Sequence, residues 1–200
     1  EPTSFPIYTF AGADSLADLS SAVALIERVV MEAVTEAGLS AAECAALPIF
    51  IGASAFSLDR ESLDPANVEK PSALGVQSVL AYQQVAFVAQ RLLGATSETF
   101  AFQTACTSSA NAAVSAMRMI RQGAFPHALV LGVEIANLAT MVGFSSLQLI
   151  APALRPFDRD REGIVLGEGV GAVVLSADGG DRSGIRVREG GSNIDSYRVT

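Results

Sequence analysis

Short apolar segments alternate with helical patterns along this chain, and this alternation restricts the fold more than any other sequence feature. Residues 14–40 carry apolar side chains at three- and four-residue steps, which predicts one helix ended by Gly38. The apolar run 47–54 predicts a buried strand. The other predicted elements are a loop at 57–71, helices at 72–94 and 108–123, a short helix and loop at 137–152, and strands at 97–105, 127–134, 167–178 and 184–192.

The order of these elements predicts an α/β fold. Strands that alternate with helices form sheets covered by helices on both faces. Only a short turn separates 167–178 from 184–192, so we expect these two strands to be antiparallel and the sheet to be mixed. No linker divides the chain. The sequence therefore predicts one domain with a mixed sheet of about five strands.

Composition excludes several classes of function. The net charge is −8, which disfavours nucleic acid and anionic membrane surfaces as partners. No apolar stretch is long enough to span a bilayer, and the first residues do not resemble a signal peptide. Two cysteines do not form a disulfide framework, so we expect a cytoplasmic location. A single histidine disfavours a zinc site.

Cys106 is the candidate nucleophile. It follows a predicted strand and precedes a predicted helix, where free amide groups and the helix dipole favour an anion such as a thiolate. A sharp strand-to-helix turn also exposes a side chain to substrate. A lone cysteine is more often a small buried hydrophobe, and on these features alone both interpretations remain open. Cys44 has no activating neighbour, since Glu43 raises a thiol pKa, and fits the buried interpretation.

Three segments carry a resemblance to a known family: TACTSSANAAVSAMRMIRQG (104–123), ALVLGVE (128–134) and RPFDRDREGIVLGEGVGAVVLS (155–176). In this order they resemble the β-ketoacyl synthases, the condensing enzymes of the thiolase superfamily. Glu162 and Ile164 depart from the family's Asp and Phe, and both changes are conservative in type. The resemblance implies a thiolase-like fold, of which this chain is one half of an αβαβα sandwich.

The resemblance also implies a reaction. Cys106 would accept an acyl group from acyl carrier protein or coenzyme A, and a malonyl-carrier protein would then be decarboxylated and condensed with the thioester, in fatty-acid or polyketide synthesis. The backbone N–H of Cys106 would be one oxyanion donor. Ala105, Phe144 and Phe56 would contact the substrate, although plain core packing explains Phe144 equally well. No metal or organic cofactor is implied.

The family's two catalytic histidines and its lysine come from a second structural half, and no residue of this sequence matches them. His127, the single histidine, precedes a buried strand and is expected to be structural, while Lys70 is expected to be a solvated charge. Residues 1–200 are therefore expected to form the N-terminal ketosynthase half, with the C-terminal half not present. We expect this half to hold the nucleophile without completing the condensation.

The partners implied are acyl carrier protein, acyl and malonyl thioesters, and a second ketosynthase chain. The family forms two-fold dimers, so a homodimer or a ketosynthase heterodimer would use strand 97–105. A basic patch for carrier docking on this acidic chain would come from a few arginines, such as Arg118 and Arg121, or from the second structural half. Glu134 and Glu168 are expected to hold loops by hydrogen bonds. The charged run 158–162 favours an ion-paired loop over a metal site.

Two other functions fit the same resemblance. The first is a non-catalytic partner like the chain-length factors that pair with ketosynthases. Those partners lack the nucleophile, so Cys106 disfavours this alternative. The second is a thiolase-superfamily enzyme that uses coenzyme A thioesters without decarboxylation, and the segment 155–169 favours the decarboxylating branch instead.

Overall fold

The centre of the molecule is a four-stranded mixed sheet, seen in a computed structural model that describes residues 7–8, 19–54, 83–135, 138–177 and 185–193. The helices are α1 (Leu19–Glu36), α2 (Ala41–Ala45), α3 (83–93), α4 (Ser108–Arg121) and α5 (Leu138–Ser146). The strands are β1 (Ile7–Tyr8), β2 (Ile49–Gly52), β3 (Thr99–Phe102), β4 (His127–Glu134), β5 (Leu166–Gly167) and β6 (Gly169–Ser176).

The sheet has the order β3-β2-β4-β6. Strands β3 and β4 flank β2 and run parallel to it, while β6 pairs antiparallel with β4 along all eight residues of each strand. A separate short pair joins β1 to β5 in parallel. The predicted mixed α/β sheet is therefore confirmed. The antiparallel partner of β6 is β4, and not the segment 184–192 that was predicted.

Helices cover both faces of this sheet, as predicted. Successive side chains of a strand point to opposite faces, so Ile49 and Ile51 of β2 pack with α1 and α3 while Phe50 packs with α4. Phe50 is fully buried and stacks on Phe100 of β3 at a ring-centroid distance of 4.6 Å. The apolar layer around Phe50 packs α4 against the sheet, and α4 begins beside the candidate nucleophile.

Most helix boundaries follow the sequence signals. Gly38, Gly94 and Gly123 were predicted to end helices, and each adopts a positive φ just after one. Helix α2 was not predicted, because five residues are too few to show an apolar period. It depends instead on a capping box: Ser40 accepts a hydrogen bond from the Glu43 N–H, and the Glu43 carboxylate accepts one from the Ser40 N–H.

The predicted strand at 184–192 is wrong. Residues 185–193 have no regular structure and do not pair with β6. Their backbone carbonyls instead accept hydrogen bonds from α4: Arg118 donates to Gly190, and Arg121 donates to Val187 and Arg188. Guanidinium groups thus satisfy the carbonyls that a strand would have offered to a neighbouring strand. The predicted loop 57–71 lies outside the described residues.

Candidate active site

The carboxyl ends of β2, β3 and β4 meet at one edge of the sheet, because these strands are parallel. Three segments leave this edge. Ser54 follows β2, the turn containing Cys106 follows β3, and α5 follows β4. Crevices outside the carboxyl ends of parallel strands are common ligand sites in α/β proteins. The fold therefore brings the predicted nucleophile to an edge that suits a substrate.

Cys106 is exposed in a single 3-10 turn, Ala105–Thr107, between β3 and α4. Its interpretation as a buried hydrophobe is wrong. Ala105 has a φ of 51°, a left-handed conformation that costs a non-glycine residue about 1–2 kcal/mol. The Thr107 N–H donates to the Thr104 carbonyl at 3.3 Å and the Ser108 N–H to the Ala105 carbonyl. The turn is thus a strained connection that holds the Cys106 side chain at the surface.

Ser108 is the buried anchor of this turn. Its side chain is among the buried polar groups, with 2% of the residue exposed. The Ser108 hydroxyl accepts a hydrogen bond from the Thr104 N–H at 2.8 Å and donates one to the Ala105 carbonyl at 2.6 Å. One hydroxyl therefore spans the turn from its entry to its strained residue. Ser108 was not singled out from the sequence, although serine near a helix start commonly bonds to the backbone.

A second polar group braces the turn on its exposed side. The Asn111 side-chain amide donates to the hydroxyl oxygens of Thr104, at 2.8 Å, and Thr107, at 3.3 Å. The Thr107 hydroxyl in turn donates to the Thr104 carbonyl at 2.7 Å. The spacing of four residues between Thr107 and Asn111 was the available sequence signal, since residues four apart are neighbours on a helix. Asn111 was likewise not identified from the sequence.

Two glycines allow the start of α4 to lie against the sheet. A Cβ added at Gly52 would lie 2.5 Å from Ser108 C and Ser109 Cα, both backbone atoms. A Cβ added at Gly132 would lie 3.2 Å from the Ser109 Cβ. Glycine at the end of β2 is therefore required for this close approach, because any side chain there would displace the first turn of α4.

Glu134 links the ends of β2 and β4. Its carboxylate accepts hydrogen bonds from the Ser54 N–H at 3.1 Å and from the Ser54 hydroxyl at 2.5 Å. The predicted loop-holding role of Glu134 is confirmed. Glu168 lies half-buried between β5 and β6.

The predicted substrate-contacting residues are only partly brought together. Ala105 adjoins Cys106 in the turn. Phe144 lies half-buried on α5, a segment that leaves the same edge of the sheet. Phe56 lies outside the described residues. A role for these three side chains in holding an acyl chain stays a prediction.

His127 lies at the amino end of β4, opposite to the carboxyl ends of the strands where Cys106 lies. It begins β4, whose eight residues at about 3.3 Å each separate it from the carboxyl edge. Its Nδ1 lies 2.9 Å from the Ser176 hydroxyl, and its Nε2 lies 3.7 Å from the Glu43 carboxylate. These contacts tie α2 and β6 to the start of β4. They agree with the predicted structural role of His127.

The second cysteine and the charged loop show no sign of a further reactive centre. Burial raises the pKa of the Cys44 thiol, and the charge of Glu43 raises it further. The predicted ion-paired loop is confirmed by an exposed Arg159–Asp160 pair at 3.5 Å. Within the ranges described above, no group of three or more His, Cys, Asp or Glu side chains is placed to share a metal ion. No described helix is long and apolar enough to cross a membrane.

Comparison with known proteins decides the family. The model of the β-ketoacyl synthase N-terminal domain matches residues 3–178. The chain belongs to the β-ketoacyl synthase family. The chain is 33% identical over 183 residues to a fumosorinone synthetase of Cordyceps fumosorosea, covering 86% of this chain and 4% of that protein. It is 34% identical over 92 residues to a 3-oxoacyl-[acyl-carrier-protein] synthase 2 of Synechocystis, covering 42% and 22%.

Solved structures place the fold. A β-ketoacyl synthase from Burkholderia phymatum superposes with a TM-score of 0.64 at 22% identity, covering 84% of this chain and 47% of that one. The ketosynthase ApeO in complex with its chain length factor ApeC, from Xenorhabdus doucetiae, gives a TM-score of 0.54 at 25% identity, covering 88% and 46%. The thiolase-like fold is therefore confirmed. The chain spans less than half of each of these relatives.

Proposed function

We propose that Cys106 is the acyl-accepting nucleophile of a 3-oxoacyl-[acyl carrier protein] synthase-like acyltransferase in fatty-acid or polyketide synthesis. The observation that carries the proposal is the exposed position of Cys106 in a strained turn at the carboxyl edge of the sheet. Membership of the β-ketoacyl synthase family supports it. Ala105 and Phe144, and Phe56 outside the described residues, are proposed to contact the acyl chain.

The first step is transfer of an acyl group to Cys106. The thiolate attacks the carbonyl carbon of an acyl thioester, and a new C–S bond forms. The old C–S bond breaks, and the thiol of acyl carrier protein or coenzyme A leaves with a proton. The thiolate is the nucleophilic form of a cysteine. The Cys106 N–H is proposed as one donor to the oxyanion that forms transiently.

The second step is decarboxylative condensation. A malonyl thioester loses carbon dioxide, and its carbanion attacks the acyl carbon on Cys106. A C–C bond forms, the Cys106 C–S bond breaks, and the Cys106 thiolate is regenerated. Groups that handle protons and stabilise the enolate are needed here, and His127 lies at the opposite edge of the sheet. We propose that residues 1–200 form the nucleophile-bearing half and that those groups come from residues beyond this sequence.

A direct acylation assay tests the nucleophile. The chain is incubated with a short acyl-coenzyme A thioester, and intact mass and peptide mapping locate the adduct. We expect one acyl group on Cys106, none in Cys106→Ser, and an unchanged adduct in Cys44→Ser, the matched control. No condensation product is expected from this chain alone with a malonyl thioester. An unmodified Cys106 would instead favour the non-catalytic, chain-length-factor-like alternative.

A second chain is the proposed structural partner, because β3 is an outer strand of the sheet that the described residues form, with β2 on one side only. The carbonyls of Glu98 and Phe102 accept hydrogen bonds from Ile49 and Ala53 beside them. Since strand residues alternate in direction, the backbone groups of Ala101 point away from β2. They are available to a second copy or to a related ketosynthase chain.

Proline at position 101 tests this interface. Ala101→Pro removes the outward N–H without removing a bond to β2. We expect it to shift a dimer to monomer in sedimentation velocity while the thermal unfolding midpoint changes little. Phe102→Pro, which removes a bond to β2, is the destabilising control. A dimer that persists in Ala101→Pro would overturn the proposed interface.

Acyl carrier protein remains the proposed donor, but its predicted docking residues are partly used within the chain. Arg118 and Arg121 each donate to carbonyls of residues 187–190. A carrier that docked on these arginines would have to share them with that segment. The cytoplasmic location expected from the two cysteines belongs to the same proposal.

A further inference from the structure

We propose that Asn111 is a positioning residue for Cys106. It has no contact with substrate in this role and acts through Thr104 and Thr107, the residues on either side of the Ala105–Cys106 pair. This inference rests on the proposed function of Cys106 as the nucleophile. It assigns a function to the exposed polar group beside the turn.

The side chains of Asn111, Thr104 and Thr107 supply a donor and an acceptor for each hydrogen bond among them. An asparagine side-chain amide has two N–H donors, and each threonine hydroxyl has one O–H donor and two acceptor positions. The Asn111 side-chain nitrogen donates to Thr104 Oγ1 at 2.8 Å and to Thr107 Oγ1 at 3.3 Å, and these two hydroxyl oxygens lie 3.1 Å from each other. The Thr107 hydroxyl hydrogen is used for the Thr104 carbonyl. Its oxygen is therefore an acceptor for Asn111, and one side chain closes a ring around the turn.

The strain of the turn explains why such a ring is needed. Ala105 is held in a left-handed conformation that an alanine does not favour. Ser108 fixes the buried side of the turn through the Thr104 N–H and the Ala105 carbonyl. Asn111 fixes the exposed side, where Cys106 emerges. Without it, we expect the turn to relax and the Cys106 side chain to leave the position that the turn gives it.

The test compares Asn111→Ala with Ser115→Ala, one helical turn further along α4. Both substitutions raise helix propensity, so neither should lower the stability of α4. The measurement is the alkylation rate of Cys106 by iodoacetamide in the 200-residue chain, divided by the rate of Cys44 in the same sample. We expect Asn111→Ala to slow Cys106 about 3- to 10-fold, as expected for losing one net hydrogen bond. Ser115→Ala should leave the ratio unchanged. The gain in helix propensity partly offsets the hydrogen bond lost in Asn111→Ala, so its thermal midpoint should change little.

A double-mutant cycle with Thr104→Val checks that Asn111 acts through this threonine. If the two residues act as one unit, Thr104→Val slows Cys106 by itself but adds little in the Asn111→Ala background. Fully additive losses would show that Asn111 acts by another route and would overturn the proposal. An alkylation ratio that is unchanged or raised in Asn111→Ala would also overturn it.

Acyl transfer from the short acyl-coenzyme A separates this inference from the proposed function. A positioning role predicts a lower maximal acylation rate with an unchanged half-saturating thioester concentration. If wild-type Cys106 is acylated and Asn111→Ala matches it in both assays, the positioning role fails and the proposed function stands. If Cys106 is never acylated but its alkylation still depends on Asn111, the proposed function fails and the positioning role stands.

Discussion

Gly52 controls how closely the start of α4 approaches the sheet, so Gly52→Ala should displace Cys106. The added Cβ would lie 2.5 Å from the Ser108 carbonyl carbon and from Ser109 Cα. Ordinary contacts begin near 3.4 Å, and the atoms that are met belong to the backbone. No side-chain rotation can relieve this clash. The first turn of α4 must therefore retreat from β2 by about 1 Å.

The magnitude follows from two costs. Forcing an extra methyl group into a well-packed contact destabilises a protein by about 1–3 kcal/mol. This is a part of the roughly 5–15 kcal/mol that stabilises a typical domain, so Gly52→Ala should still fold. A displacement of about 1 Å at a reacting group can slow a reaction by up to about 100-fold. We therefore expect a moderate loss of stability and a much larger loss of Cys106 acylation.

A graded series of alanine variants supplies the assay. Urea unfolding gives the stability, and acylation of Cys106 gives the reactivity, for Gly52→Ala, Gly132→Ala and Gly171→Ala. A Cβ at Gly132 would meet the Ser109 side chain at 3.2 Å, and one at Gly171 would meet nothing within 4 Å. We expect Gly52→Ala to lose the most stability and acylation, Gly132→Ala to lose less, and Gly171→Ala to lose neither. Ser109→Gly should relieve Gly132→Ala but not Gly52→Ala, since only the former clashes with the Ser109 side chain.

Two results would refute this reasoning. Gly52→Ala could match Gly171→Ala in both stability and acylation, in which case the close approach does not position Cys106. Alternatively, Ser109→Gly could restore Gly52→Ala fully. The clash would then involve a side chain rather than the backbone of α4.

Three further predictions concern the scaffold. Phe50→Ala should cost about 3–5 kcal/mol in urea unfolding, because Phe50 is fully buried and stacked; a loss below about 1 kcal/mol would contradict its place in the core. Ser54→Ala and Glu134→Ala should each lower the free energy of unfolding by about 1–3 kcal/mol, since a charged group accepts both hydrogen bonds. Their double variant should lose less than the sum, and full additivity would count against a direct link. Hydrogen bonds from Ser40 hold the pKa of Glu43 below its ordinary value of 4.5. The ionised Glu43 therefore stabilises the folded chain above pH 4.5, and this stabilisation is lost as the pH falls through the lowered pKa. Ser40→Ala should reduce that acid loss, measured as unfolding midpoints above and below pH 4.5, and an unchanged acid loss would exclude the Ser40 contact as its cause.

Local patterns were enough to predict most helices and strands. The positions of α1 that recur at helical spacing include Ile26, Val30 and Val34, and all three are buried. The run 127–134 was predicted as a strand and is β4. Such signals depend only on side chains close together in sequence, and each element obeys its own periodicity. The segment 185–193 shows the limit of this reasoning, because arginines on α4 bind its carbonyls and no strand forms.

By itself, the sequence determined the family, the α/β class and the position of Cys106 between a strand and a helix. Only the tertiary structure decided that β4 pairs with β6, that Gly52 receives the start of α4, and that Glu134 reaches Ser54 across 80 residues of sequence. The physical reason is how far apart in the sequence the interacting residues lie. Apolar periodicity and turn strain are properties of residues close together in the sequence. Strand pairing and the close approach of a helix to a sheet depend instead on which residues from distant parts of the sequence form hydrogen bonds with the backbone or fill the space beside it.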